Sequence, residues 1–133
     1  MLKSLLVSAA LMLSLPALAD DHGHTHTPNV CSAKNPDVCA HLGLYGALKS
    51  SVANQFIVDI MTPNAAPFQN LKVVLWMPDM GHGSSPVTMQ DIGNNHYLVT
   101  DAWFIMPGQW TVKLNFDFGG ENLDIEIPLE IAE

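Results

Sequence analysis

Arginine is absent from this 133-residue chain, and its five lysines (Lys3, Lys34, Lys49, Lys72 and Lys113) stand against 13 acidic residues. A formal charge of −8 leaves nothing from which to build a basic stripe, which excludes nucleic acid and anionic lipid as partners. Without a guanidinium there is also no bidentate clamp for phosphate or carboxylate substrates. Signatures of catalysis are missing too. There is no glycine-rich phosphate loop, no paired-cysteine zinc motif and no nucleophile elbow. Ser84 and Ser85 follow His82 without an orienting acid, and Asp79 and Asp91 form no recognisable acid–base pair. An enzyme is not expected. What the chain has is 48% hydrophobic residues, too many for a disordered polymer, in a length that admits one domain.

Only one long apolar run is present, and it lies at the start. Met1-Leu2-Lys3 is a short positive beginning, Leu5 to Leu15 is apolar apart from small serines, and Pro16-Ala17-Leu18-Ala19 supplies a small-x-small ending. Residues 1–19 are expected to be a cleaved secretory signal, too short for a permanent anchor. No cysteine follows the cut directly, so no lipid attachment is expected there. The product would begin at Asp20 as a small acidic soluble protein, periplasmic or secreted, with no membrane insertion after cleavage. In that oxidising setting Cys31 and Cys39 are expected to form a disulfide. Asn35-Pro36-Asp37 reads as the cap and first turn of a short helix, with Gly43 as its stop. A metal site using Cys39 and His41 is the competing reading of this stretch.

Residues 20–30 are polar, histidine-containing and without periodicity, which predicts a flexible arm. Residues 31–53 form a cysteine-containing segment, and from residue 54 to 133 the pattern is β. Phe56, Val58 and Ile60 alternate with polar or opposite-facing neighbours, as do Leu71, Val73, Leu75 and Met77. A weaker strand is expected at 87–90, closed by the Gly93-Asn94-Asn95 turn, and another strand at 96–103. The strictest alternation runs from Trp110 to Phe118 and from Leu123 to Ile131, where Pro128 marks an edge strand. Six or seven such strands predict an all-β, antiparallel sandwich of immunoglobulin type.

Met77-Pro78-Asp79-Met80-Gly81-His82-Gly83 concentrates two thioethers and an imidazole on one glycine-shaped loop. Thioether sulfur is a soft ligand that selects Cu(I), and imidazole binds copper in either oxidation state. If consecutive strands run antiparallel, with 87–92 returning between 71–77 and 96–103, Met106 lies at the same pole as this loop. His96 then lies at the opposite pole and is excluded from it. The competing explanation is packing: Met77 shares the parity of Leu71, Val73 and Leu75, and Met80 and Met106 can cap a core. A second donor set is expected at the processed terminus, where the free amine of Asp20, two amides and His22 suit square-planar Cu(II) or Ni(II). His24 and His26 add imidazoles nearby.

In Trp76-Met77-Pro78-Asp79-Met80-Gly81-His82, Asn95-His96-Tyr97 and Met106-Pro107-Gly108-Gln109-Trp110, the chain resembles the YtkA-like family, which is related to the FixH group. The resemblance covers about residues 54–131. It implies an immunoglobulin-like sandwich outside the cytoplasm, in a family some of whose members are associated with copper handling or cytochrome oxidase assembly. The chain departs from the FixH pattern in having no retained membrane helix. In size and sandwich class it is also similar to small periplasmic copper carriers of the CopC type, which characteristically begin with histidine where this one would begin with Asp20. Two functions are therefore expected to compete. One is an exported copper carrier or buffer; the other is a metal-independent interaction or assembly module docking on a membrane-associated protein.

Overall fold

Strict alternation turns each long strand into a ribbon with one apolar face, and two such faces must close on each other. The computed structural model describes residues 24–133. The expected signal at 1–19, with Asp20 and His22, lies outside the described residues.

Ten strands follow in order: β1 (Thr25–His26), β2 (Val30–Cys31), β3 (Cys39–Leu44), β4 (Ala53–Met61), β5 (Gln69–Met77), β6 (His82–Gly83), β7 (Thr88–Gly93), β8 (His96–Trp103), β9 (Gly108–Phe118) and β10 (Glu121–Ile131). Seven of them are six residues or longer. One sheet has the order β1-β3-β4-β8-β7, with β2 also on β3, and the other runs β10-β9-β5-β6. Every pairing between these strands is antiparallel. The two-layer antiparallel sandwich expected from the sequence is the observed architecture.

The core is built from the predicted faces. Phe56, Val58 and Ile60 of β4 meet Trp110, Val112, Leu114 and Phe116 of β9 and Leu123, Ile125 and Ile127 of β10, all essentially solvent-free. Phe116 packs against Phe68 at 5.2 Å between ring centroids, and Phe104 meets Trp110 edge-on at 5.3 Å. Burying each such side chain contributes about 1.5–3 kcal/mol, set against the conformational entropy of ordering the chain. Register between β9 and β10 holds without interruption from Phe118↔Glu121 to Gly108↔Ile131. Gly119 and Gly120, both at positive φ, form the two-residue turn that fixes this register. Pro128 lies on β10, an edge strand as expected.

Four expectations are corrected. Residues 35–37 form no helix: the Val38 amide donates to the Asn35 carbonyl, closing a β-turn between β2 and β3. Gly43, expected to stop that helix, sits inside β3 opposite Ile57. β3 is a full member of the first sheet, with Ala40 and Leu42 buried, because its alternation matches that of β4. The arm over 20–30 is, in its described part, held along β3. The Thr27 amide donates to the Leu42 carbonyl, and Thr27 Oγ1 accepts from the Leu42 amide. Finally, β7 does not run between β5 and β8. It lies at the far edge of the first sheet, beyond β8, while β5 belongs to the second.

Cys31 and Cys39 are disulfide-bonded across one register pair of β2 and β3. This removes the thiolate on which a Cys39–His41 metal site would depend. Replacing both cysteines with serine is expected to lower stability by about 2–3 kcal/mol, the loop-closure value for so short a ring. A thermal midpoint equal to that of the parent would show that strand pairing alone holds the hairpin.

Candidate functional site

β5 ends at Met77, Pro78 cannot continue its ladder, and Pro78–Met80 forms a single 3₁₀ turn. Gly81, at φ 63°, closes it in the left-handed region, and its amide donates to the Met77 carbonyl. The chain then returns as β6, which places His82 directly opposite Met77. Directly opposed residues project to the same face. That face is the inner one: Met77 continues the buried row of Val73 and Leu75 and is 7% exposed. β6 is an edge strand, so the half-buried His82 ring stands at the rim of the sandwich. It lies 6.3 Å from the Trp110 ring in an edge-on arrangement.

Met106 lies towards this end of the molecule, although β7 does not return between β5 and β8 as the strand-direction expectation assumed. It packs partly buried on the core, and its carbonyl accepts the indole N–H of Trp110 at 2.9 Å. Gly108 follows at φ 124°, and a Cβ built there would stand 3.2 Å from the Met77 methyl. Met80 differs from the other three. It is 56% exposed on the turn itself, so its thioether faces solvent. The structure thus brings Met77, His82 and the Met106 segment to one rim, with Met80 exposed on the adjoining turn. Both sequence readings of Met77 describe its position, because a buried thioether packs and also remains a soft donor.

His24 and His26 lie elsewhere, on the outer face of the first sheet. The His24 ring packs against Tyr45 at 4.2 Å. His26 stands edge-on to His41 at 4.9 Å between centroids. Around them a shallow hollow of about 180 Å³ is lined by His24, His26, His41, Asp59 and His96, among others. His41 of β3, Asp59 of β4 and His96 of β8 share one cross-strand row. His41 Nε2 and His96 Nε2 both approach Asp59 Oδ2, at 3.2 and 3.4 Å. Among the described residues, no group of three or more His, Cys, Asp or Glu side chains is placed, as it stands, to hold a metal ion.

The exclusion of His96 from the methionine rim agrees with this placement. What sequence reasoning missed is the partnership of His96 with His41. The signal was the alternation Ala40-His41-Leu42, which puts the imidazole on the outer face once β3 is recognised as a strand.

A family model described as YtkA-like matches residues 47–115, just over half of the chain. The matched segment holds both ends of the methionine rim, together with Asp59 and His96, but not His26 or His41. No curated protein matches the chain, and no solved structure does.

Gly108→Ala is expected to destabilise the rim by about 1–3 kcal/mol, combining left-handed strain with crowding of the Met77 methyl. Denaturant unfolding measures the loss. A stability equal to that of the parent would mean that the Met77 side chain moves aside freely.

Proposed function

On the footing that the chain belongs to the YtkA-like family, we propose that it is an exported, soluble metal-binding protein that carries or buffers copper. The observation behind this reading is the pairing of Met77 with His82 across the β5–β6 turn, with Met80 on that turn and Met106 beside it. Sulfur and imidazole in this combination suit Cu(I), which accepts low coordination numbers and soft ligands. Met80 is the mobile partner in the proposal. Exposed on a loop, it can swing over an ion held by the half-buried donors, and swing away to release it. The arginine-free acidic surface suits a carrier working away from nucleic acid.

Export rests on the signal-like residues 1–19 and on the disulfide, which persists in an oxidising compartment. Among the described residues, no helix is long and apolar enough to cross a membrane. Asp20 and His22 remain a proposed Cu(II) or Ni(II) set at the processed terminus.

A second reading has its own observation. Met77 is nearly solvent-free, and Trp103, Ile105 and Met80 are exposed towards the same end of the molecule. A metal-independent module would use that apolar end to dock on another protein.

Titration of the metal-free mature protein with Cu(I) against a competing chelator separates the two. The Met80→Leu/His82→Ala variant is expected to bind at least about tenfold more weakly than the parent, as removal of direct ligands requires. Equal affinity in both proteins would remove the rim from copper binding and leave the docking reading.

A further inference from the structure

Outside the methionine rim, the described residues place three imidazoles and a carboxylate on one patch of the first sheet. Each is positioned by secondary structure. Asp59 faces outward because its neighbours Val58 and Ile60 face the core. His41 and His96 are its direct cross-strand partners on either side. His26, opposite Gly43, is the diagonal neighbour of His41. The β7–β8 turn, with Asn94 and Asn95 both at positive φ, sets where His96 begins its strand. The Asn95 carbonyl accepts the Ile60 amide, which ties that turn to the end of β4.

The hydrogen bonds of the two flanking rings decide what the row is suited to hold. His96 Nδ1 lies 2.8 Å from the Asn94 carbonyl oxygen, which only accepts, so this nitrogen carries the proton. His41 Nδ1 lies 3.0 Å from Asn29 Oδ1, likewise an acceptor. In a neutral ring that is the single N–H, which leaves Nε2 as the atom available to a ligand. Each Nε2 faces the same carboxylate oxygen of Asp59, with a lone pair when its ring is neutral. Two ring nitrogens and one carboxylate oxygen converge there. A single divalent ion would satisfy all three atoms together. Moreover, an Nδ1–H held by a carbonyl, with Nε2 presented outward, is the arrangement that orients histidine as a metal ligand.

We propose that His41, His96 and Asp59, with His26 as the additional imidazole, form a binding site for a divalent transition-metal ion of the zinc and copper(II) class. The ion enters between the two Nε2 atoms, and the Asp59 carboxylate moves from bridging the rings to coordinating beside them. Ligand distances of about 2.0–2.2 Å require side-chain shifts of roughly an ångström, with no change in the sheet. Imidazole with one carboxylate selects borderline ions over magnesium and calcium, and contains no sulfur to favour Cu(I). This site is separate from the methionine rim in residues, in face and in preferred oxidation state.

Zinc is the discriminating probe, because it favours neither the thioethers of the rim nor a square-planar amide set at the processed terminus. Calorimetric titration of the metal-free mature protein with Zn²⁺ is expected to show one ion per chain. His41→Gln and His96→Gln should each weaken binding at least tenfold, and the double variant should abolish it. His26→Gln should have a smaller effect, and Met80→Leu/His82→Ala none. Saturating zinc should raise the thermal midpoint of the parent and not of the double variant, whose own cooperative melt certifies its fold. If the double variant does not fold, the outward-facing His96→Gln alone carries the test. Absence of zinc binding in the parent, or affinity retained in the folded histidine variants, would overturn the proposal. Loss of Cu(I) binding at the rim with zinc binding intact would leave it standing.

Discussion

The space between the two sheets is apolar, and that constraint decides where any chemistry can sit. Among the described residues, only Ser32 and Thr111 are buried polar groups, while Phe56, Phe104, Trp110 and Phe116 fill the interior. A charged or strongly hydrogen-bonding group placed there would lose its hydration with nothing to replace it. Donors are therefore confined to the ends of the sandwich, its edge strands and its outer faces. Methionine is the exception that can stand on the boundary. Its thioether is apolar enough for Met77 to complete the buried row of β5, yet it keeps a lone pair for a soft ion. Histidine has no such latitude, which is why His82 occurs only where β6 reaches the rim and His41 and His96 only on the outer face.

The parts of the fold that could be read from sequence are those specified within a single hairpin. Trp110 to Phe118 and Leu123 to Ile131 alternate without a fault, and a two-glycine turn joins them, so strand, register and edge position follow locally. The Met77–His82 turn is similarly local: a proline stops one strand and a glycine at positive φ starts the next. β3 was harder to read because it is short, follows Asn35-Pro36-Asp37 and contains Gly43, each of which also signals a helix end or turn. Its strand character comes from pairing with β4 on one side and with the N-terminal segment on the other. That is a tertiary effect, and no window along the chain contains it. The same holds for β7, whose six residues are all exposed and carry almost no pattern.

The histidine row shows the consequence for a site. His41, Asp59 and His96 come from three strands widely separated in sequence, and no spacing rule brings them together. What unites them is the side-chain period of two, applied once the order β3-β4-β8 is known. Had β3 slipped by one residue against β4, His41 would face the core and Leu42 the solvent, at large cost in both places. The burial of Ala40 and Leu42 thus holds His41 against Asp59 more firmly than any polar contact does. The disulfide acts in the same direction, since Cys39 begins β3 two residues before His41 and is joined to β2 there.

Two classes of donor are therefore separated by the same physical rule that builds the sandwich. Sulfur accompanies the apolar interior to its open rim, whereas imidazole and carboxylate are turned to the outer face, where water or an ion can reach them. Supports of the two places also differ in stiffness. Met80 rides on an exposed turn, while His41, Asp59 and His96 stand on paired strands, with both Nδ1 atoms facing carbonyl oxygens. A ligand on a flexible loop favours rapid capture and release; ligands on a braced sheet favour retention of a preferred geometry. In the roles proposed above, passing one ion onward and keeping another in place would use that division, which itself follows from which residues the core could accept.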